Sequence, residues 1–248
     1  MLRNFAPIVL LCMLTALTLL YPTQAVGQRD AGRQLLRTVY ELAGDGKYPG
    51  AIRIFEQVRR YYPDSIEPLD GDIVATLYGM TDDHAGHLEH SRWMLKRFPN
   101  PERVENAERT AKACILVGGI KDRELLEHAA RLTRYAATEG TGEFAPWFHV
   151  AHGIAEYRLG NHAEALPWLE KTIDNEEIMI RSLAIAYYAL VLHHLERPEE
   201  AQRALDRARA LDYKMPKVGT RSFRREWANV LAFQIGLKEA EETIASTE

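Results

Sequence analysis

A short pattern centred on a small alanine returns along this chain and constrains its fold more than any other sequence feature. Ala165 and Ala201 stand 36 positions apart, and the apolar residues that flank them recur. The segment Gly46–Phe55 has the same form around Ala51. Such a period is typical of helix–turn–helix repeats, in which a small residue lets two antiparallel helices approach closely.

The apolar residues inside these units follow a helical period. One stripe has the i, i+3, i+4, i+7 spacing of an amphipathic helix and comprises Ala201, Ala204, Leu205, Ala208 and Leu211. The segment Ser182–Leu192 has no polar face, as expected for a helix packed on several sides. Sustained alternation of apolar and polar residues is missing from the sequence, so we expect no strands. The pattern predicts an all-α protein, an α-solenoid of antiparallel helix pairs.

Caps and breaks in the pattern place five helix pairs and a closing helical segment in one domain, residues 29–248. Asn100-Pro101 and Pro198 are expected helix starts, and Gly160 is an expected left-handed stop. The predicted pairs are about 30–43 with 48–61, 71–80 with 84–98, 102–117 with 122–138, 145–159 with 162–174, and 178–195 with 198–211, followed by a closing segment near 222–246.

Residues 1–25 read as a secretory signal peptide. A short basic start at Met1–Asn4 precedes the apolar run Ile8–Tyr21, and Pro22 and small residues follow. This order predicts cleavage after Ala25, or after Gly27 as the alternative position, and export to the periplasm or cell envelope. An uncleaved signal anchor is the alternative, although the apolar run is shorter than the roughly 20 residues that span a bilayer.

Charge and cysteine content exclude some kinds of partner and of cysteine chemistry. The formal net charge is −4, and no basic face is evident, so we do not expect nucleic acid as a partner. Removal of the signal peptide leaves Cys114 as the only cysteine, which excludes an internal disulfide. Its apolar neighbours favour a small buried core residue over a nucleophile.

Two stretches, His149–Gly160 and Ala165–Lys171, resemble a tetratricopeptide repeat (TPR). Gly153 and Tyr157 fall on or beside signature positions, as do Gly160 and Ala165. The small residues that the resemblance and the repeated pattern assign to helix packing are Ala51, Gly153, Gly160, Ala165, Ala189 and Ala201.

A narrower resemblance covers approximately residues 86–246. It is carried by Trp93–Phe98, Ala107–Cys114, Arg224–Trp227 and Glu239–Glu242, together with the repeat above. These segments are similar to the helical-repeat region at the C-terminus of certain multidomain bacterial serine/threonine kinases. The resemblance implies a binding platform, and no kinase activity carries over because the kinase motifs are absent.

The sequence departs from the repeat pattern at two turns. Glu196 replaces the expected turn glycine, and Glu177 stands where the repeat usually has proline. The units at 71–98 and 102–138 also match poorly, which leaves the repeat count open.

First helices of a solenoid line its concave groove, so the predicted helices at 145–159 and 178–195 would carry the contacts to a partner. The residues that we assign to this partner-binding groove are His149, Glu156, Arg181 and Tyr188. His152 lies on the same helix face as His149. Its alternative role is that of a buried core residue whose ring is hydrogen-bonded.

Three histidines at helical spacing, His84, His87 and His90, are weak candidates for a metal site, with Asp83 nearby. The alternative is a capped helix start with solvated histidines. Phosphate-binding loops, zinc-protease histidine pairs and serine-hydrolase elbows are not found in the sequence. We therefore predict no catalytic residue and no cofactor.

These observations favour an exported, non-catalytic interaction scaffold that holds a segment of a partner protein or peptide in its groove. The alternative is a metal-binding or small-ligand-binding envelope protein that uses the histidine cluster. A self-associating structural element is a third possibility.

Overall fold

A computed structural model of the chain describes residues 27–246, in which all regular secondary structure is helical. About 80% of the residues are in helices, and this part of the chain contains no strand. The predicted all-α class is confirmed. The predicted signal peptide, residues 1–25, lies outside the described residues.

Eleven α-helices lie in residues 27–246, and we number them in chain order. They are α1 (described over 27–44), α2 (Tyr48–Tyr61), α3 (Pro68–Met80), α4 (His84–Arg97), α5 (Val104–Ile115), α6 (Arg123–Glu139), α7 (Ala145–Leu159), α8 (His162–Glu170), α9 (Ile178–His194), α10 (Pro198–Asp212) and α11 (Arg221–Ala245). Two short 3-10 turns, Pro63–Ser65 and Gly142–Phe144, precede α3 and α7.

Side-chain caps and a glycine define several helix ends, two of which, at Asp83 and Gly160, agree with the sequence analysis. The Asp83 carboxylate accepts a hydrogen bond from the Gly86 amide at 2.8 Å, and Asp122 accepts one from the Leu125 amide at 3.2 Å. Gly160 has φ 82° and ends α7 in the left-handed conformation that glycine adopts without a Cβ clash.

The predicted start of α3 at residue 71 is wrong, because the helix begins at Pro68. Proline fits the first helical turn, and Glu67 and Asp70 form a reciprocal capping box around it. The predicted start of α5 at residue 102 is also wrong: Arg103 keeps an extended backbone and the helix begins at Val104.

The predicted extent of α8 to residue 174 is wrong as well. The helix ends at Glu170, and turns follow. The Thr172 hydroxyl donates a hydrogen bond to the Leu169 carbonyl at 2.9 Å. Such side-chain hydrogen bonds to the backbone compete with continuation of a helix.

Each helix packs against its successor along most of the chain, and alternate helices also touch. Besides consecutive contacts such as α5 with α6 and α9 with α10, α3 packs on α5, α5 on α7, and α7 on α9. The buried apolar side chains form one large cluster that runs from α1 to α11. Cys114 is buried in it as a free thiol, as predicted.

The last helix, α11, returns to the beginning of the fold. It packs on α9 and α10 and also on α3, more than 140 residues earlier in the chain. Its backbone approaches α9 closely at Gly236, where an added Cβ would stand 2.9 Å from the Tyr187 ring. Gly79 of α3 lets Ile235 approach in the same way.

Candidate functional site: a charged cavity beside helix α11

The N-terminal parts of α3, α7 and α11, together with one face of α5 and Tyr40 of α1, line a partly open cavity of about 570 Å³. We call it the charged cavity. Aromatic side chains form part of its wall, among them Tyr40, Phe144, Trp147 and Trp227. Charged residues of both signs complete the lining, with Asp72, Glu108 and Lys112 beside Arg109, Arg224 and Arg225.

A buried ion triad lies in the lining of this cavity. The Lys112 ammonium is 2.7 Å from Glu108 Oε1 and 3.0 Å from Asp72 Oδ2. Asp72 and Glu108 are each only 4% exposed. The ammonium also lies 5.4 Å from the centre of the Trp147 ring, within the range of a cation–π contact.

Elementary helix geometry brings the triad together. Glu108 and Lys112 are four residues apart on α5 and therefore share one face of that helix. Asp72 comes from α3, which packs directly against α5. Two carboxylates thus share a single ammonium.

Burial and neighbouring charges shift the pKa values of Asp72 and Lys112 in opposite directions. Desolvation raises the pKa of Asp72 to about 7, even though Lys112 lowers it. Desolvation alone would lower the pKa of Lys112, but the carboxylates of Asp72 and Glu108 outweigh it and raise that pKa. Asp72 Oδ1 is buried and has no hydrogen-bond partner among the described residues. An unpaired buried carboxylate oxygen is costly, since it has lost its water without a replacement donor.

Sequence reasoning did not single out the triad. Two sequence patterns could have pointed to it. Asp72 is an acid directly before the apolar residues Ile73 and Val74, and Glu108 and Lys112 form an i, i+4 pair of opposite charge. Neither signal shows that α3 and α5 face each other, so the triad depends on tertiary packing.

A second cavity of about 490 Å³ lies along the C-terminal half of α11 and has a mostly apolar lining that includes Gly79, Val117 and Ile235. Arg158 of α7 lies beside it and contacts three other parts of the fold. Its guanidinium donates to the carbonyls of Ile115 and Leu116, to the Tyr187 hydroxyl and to the Glu239 carboxylate of α11.

The residues predicted to form a partner-binding groove occupy other places. His149 lies against the Trp168 ring of α8, with ring centres 5.5 Å apart. Glu156 is buried and accepts hydrogen bonds from Arg134 of α6 at 2.9 Å and from Asn161 at 2.7 Å. Both side chains therefore contact neighbouring helices, and neither lines the charged cavity.

The other two predicted groove residues lie on α9. Arg181 donates to the carbonyls of Asn175 and Glu176 in the turn that precedes the helix. The Tyr188 hydroxyl is 3.4 Å from the Glu170 carboxylate at the end of α8. The structure does not bring these two residues together with His149 and Glu156 at the charged cavity.

The three candidate metal ligands also point to different places. His87 Nε2 bonds the Ala113 carbonyl at 2.9 Å, and His90 Nε2 bonds the Gly71 carbonyl at 2.8 Å. Both rings are fully buried, whereas His84 is exposed. Within residues 27–246, no group of three or more histidine, cysteine or carboxylate side chains is arranged to hold a metal ion.

The small residues assigned to packing lie at helix contacts or turns. Ala51, Ala165, Ala189 and Ala201 are completely buried. A Cβ added to Gly153 of α7 would stand 2.7 Å from Leu169 Cγ of α8.

No family model, no curated protein and no solved structure matches the chain significantly. Across residues 27–246, every helix is too short or too polar to cross a membrane. The geometry of the fold and of the charged cavity is therefore the basis for assigning a function.

Proposed function

We propose that this protein is a non-catalytic interaction scaffold of the TPR-like α-solenoid type, which holds a segment of a partner protein in the charged cavity. The neighbour pattern of its helices supports the proposal. In a stack of helix pairs, each first helix contacts its own second helix and the first helix of the next pair. The contacts of α3, α5, α7 and α9 follow this rule.

The single observation that carries the proposal is the charged cavity itself. Its lining combines aromatic rings with charges of both signs, a composition that suits a peptide with both side-chain and backbone polar groups. A volume of about 570 Å³ is within the usual range of ligand sites, roughly 300–1,000 Å³.

The same lining supports a binding role over a catalytic one. Its buried ionised groups are tied to each other in the triad, where Lys112 bonds both carboxylates. We propose that the mature protein acts in the cell envelope, and this proposal rests on residues 1–25.

Photo-crosslinking in intact cells tests the binding role. Benzoylphenylalanine placed at Phe144, a cavity residue that is 44% exposed, should capture a discrete partner. The matched control is Tyr213, which is 87% exposed and outside the cavity lining. Equal capture at the two positions, or none at Phe144, would contradict the proposal.

A charge placed at the cavity rim tests the same surface by a different route. Leu69→Glu introduces an acid at a cavity residue that is 43% exposed, and Val218→Glu does so at a residue that is 54% exposed and outside the lining. The crosslink at Phe144 should weaken in the first variant and persist in the second. Circular dichroism of both variants verifies that their helices are intact.

A further inference from the structure

We propose that the charged cavity recognises a cationic group of its ligand, a primary ammonium or a guanidinium, and that Asp72 is the residue that pairs with it. This inference rests on the proposed function, since it names the chemistry of the partner segment that the cavity accepts. Three features of the cavity support it: the charge of the triad, the unpaired oxygen of Asp72 and the aromatic wall.

The triad has one more carboxylate than it has ammonium groups, so a second cation would balance its charge. Above about pH 7, where Asp72 is ionised despite its burial, Asp72 and Glu108 carry two negative charges and Lys112 carries one positive charge. All three groups are largely removed from water, so the excess negative charge is poorly screened. A ligand cation in the adjoining cavity would neutralise it.

One oxygen of the triad has no hydrogen-bond partner among the described residues. Lys112 lies beside Asp72 Oδ2, whereas Asp72 Oδ1 lacks any partner in the described structure. The residue is 4% exposed and belongs to the cavity lining, while Oδ1 itself is buried beneath that lining, so a ligand N–H reaches it only when the lining shifts. A ligand N–H would supply the missing hydrogen bond in its charge-assisted form.

The aromatic wall favours the same class of ligand. The Trp147 ring already contacts one ammonium, that of Lys112, and Tyr40 and Trp227 line the same cavity. Aromatic faces attract cations because of their negative quadrupole, and the attraction increases when water is excluded. An aliphatic chain that ends in an ammonium would contact both the rings and the carboxylate.

Three arginines of the lining compete for this site, and of Arg109, Arg224 and Arg225 it is Arg109 that acts on the Asp72 carboxyl. It lines the cavity and lies close enough to Asp72 to lower the pKa of that carboxyl, although it makes no hydrogen bond to it. If Arg109 partly satisfies the site, its removal should increase the affinity for an added cation. Arg109→Gln is therefore an informative variant.

Titration with n-butylammonium tests the inference, because this ion reproduces the end of a lysine side chain. We expect it to shift the NMR signal of the Trp147 indole N–H, assigned with Trp147→Phe, with a dissociation constant of about 1–20 mM. The matched neutral probe, n-butanol, should bind at least tenfold more weakly, and butyrate should not bind.

Variants at Asp72 complete the test. Asp72→Asn removes the charge at nearly constant volume and should weaken butylammonium binding at least tenfold, while Arg109→Gln should strengthen it. The control is Asp174→Asn, an exposed acid paired with Arg207 outside the cavity, which should bind as the wild type does. Thermal unfolding verifies that each variant is folded.

Three results would overturn the inference: equal binding of butanol and butylammonium, unchanged binding in Asp72→Asn, or no shift up to about 50 mM amine. The crosslink at Phe144 judges the proposed function separately, since it does not depend on the charge of the ligand. A partner captured at Phe144 together with a failed amine titration would leave the scaffold proposal standing and reject cation recognition.

Discussion

His87 and His90 hold their imidazoles in the core as neutral hydrogen-bond donors. Each Nε2 bonds a backbone carbonyl, and each Nδ1 is buried without a partner. A proton added to Nδ1 would therefore be placed where the described structure offers it no acceptor. Burial is the main cause that lowers the pKa of His87 to about 4 and that of His90 to about 3.

These lowered pKa values predict a loss of stability in mild acid. The unfolded chain binds a proton at each histidine near pH 6.5, and the folded chain does so only near pH 4 or below. The stabilisation is present above pH 6.5 and is lost as the pH falls toward the folded values. When the pH is lowered from 7 to 5, each histidine should reduce the free energy of unfolding by about 2 kcal/mol.

Urea unfolding at the two pH values measures this effect. His90→Gln keeps an N–H donor but does not titrate, so it should reduce the difference between pH 7 and pH 5 by about 2 kcal/mol. Gln34→Ala, at an exposed position that does not titrate, is the control and should leave the difference unchanged. A wild-type difference that His90→Gln does not reduce would contradict the neutral, buried state.

At the scale of the element, the contact between α7 and α8 depends on the absence of a side chain at Gly153. A Cβ there would meet Leu169 at 2.7 and 2.8 Å, and Leu169 is itself completely buried. Real Cβ atoms do not approach other atoms so closely, so either the leucine or the helix must move.

Gly153→Ala should therefore destabilise the protein despite the better helix propensity of alanine. We expect a net loss of about 1–2 kcal/mol in the free energy of unfolding. Gly50→Ala in α2 is the matched control, because its nearest neighbour would be Leu42 Cδ1 at 3.7 Å, an ordinary contact. Denaturant unfolding of both variants gives the comparison; equal stability would show that the two helices do not need this close approach.

The position of α11 depends on a buried ion pair. The side chain of Arg158 is 9% exposed, and its guanidinium donates to Glu239 Oε2 at 2.7 Å. The adjacent pair between Lys238 and Asp82 also joins α11 to the body of the protein, but both of its side chains are exposed.

The two pairs should differ in their contribution to stability. Glu239→Gln leaves a buried guanidinium without its counter-charge and should cost about 2–4 kcal/mol. Lys238→Gln removes a solvent-screened pair and should cost at most about 1 kcal/mol. Thermal or urea unfolding distinguishes them, and similar losses would mean that burial adds nothing to the Arg158 pair.

On the scale of the whole molecule, α11 connects distant parts of the fold. It buries large apolar side chains along its length, including Phe223, Trp227 and Phe233, and it packs on both α3 and α9. Each such side chain contributes roughly 1.5–3 kcal/mol when buried, so the helix carries much of the net stability of a typical domain.

Removal of residues 221–248 should consequently abolish cooperative unfolding and expose apolar surface that binds the dye ANS. A synthetic peptide of residues 221–246, added to the truncated chain, should restore a sigmoidal transition and reduce dye binding. A truncated chain that unfolds as cooperatively as the intact protein would show that the rest of the fold does not need α11 for its stability.

The sequence alone determined the secondary structure class and most of the helix positions, because helix periodicity and caps are local properties. Asp83, Asp122 and Gly160 define helix ends through contacts within a few residues. The start of α3 escaped prediction although it is also local: Pro68 and its capping box lie between the predicted helices 48–61 and 71–80.

The candidate site, by contrast, depended on tertiary structure. Asp72 and Lys112 are 40 residues apart, and only the contact between α3 and α5 makes them an ion pair. Similarly, the spacing of His87 and His90 predicts a shared helix face, but their opposite surroundings, Ala113 on one side and Gly71 on the other, come from packing. Helix formation depends on contacts between residues three or four positions apart, which the sequence shows directly. Burial and charge pairing depend on which helices pack together, and the tertiary fold determines that.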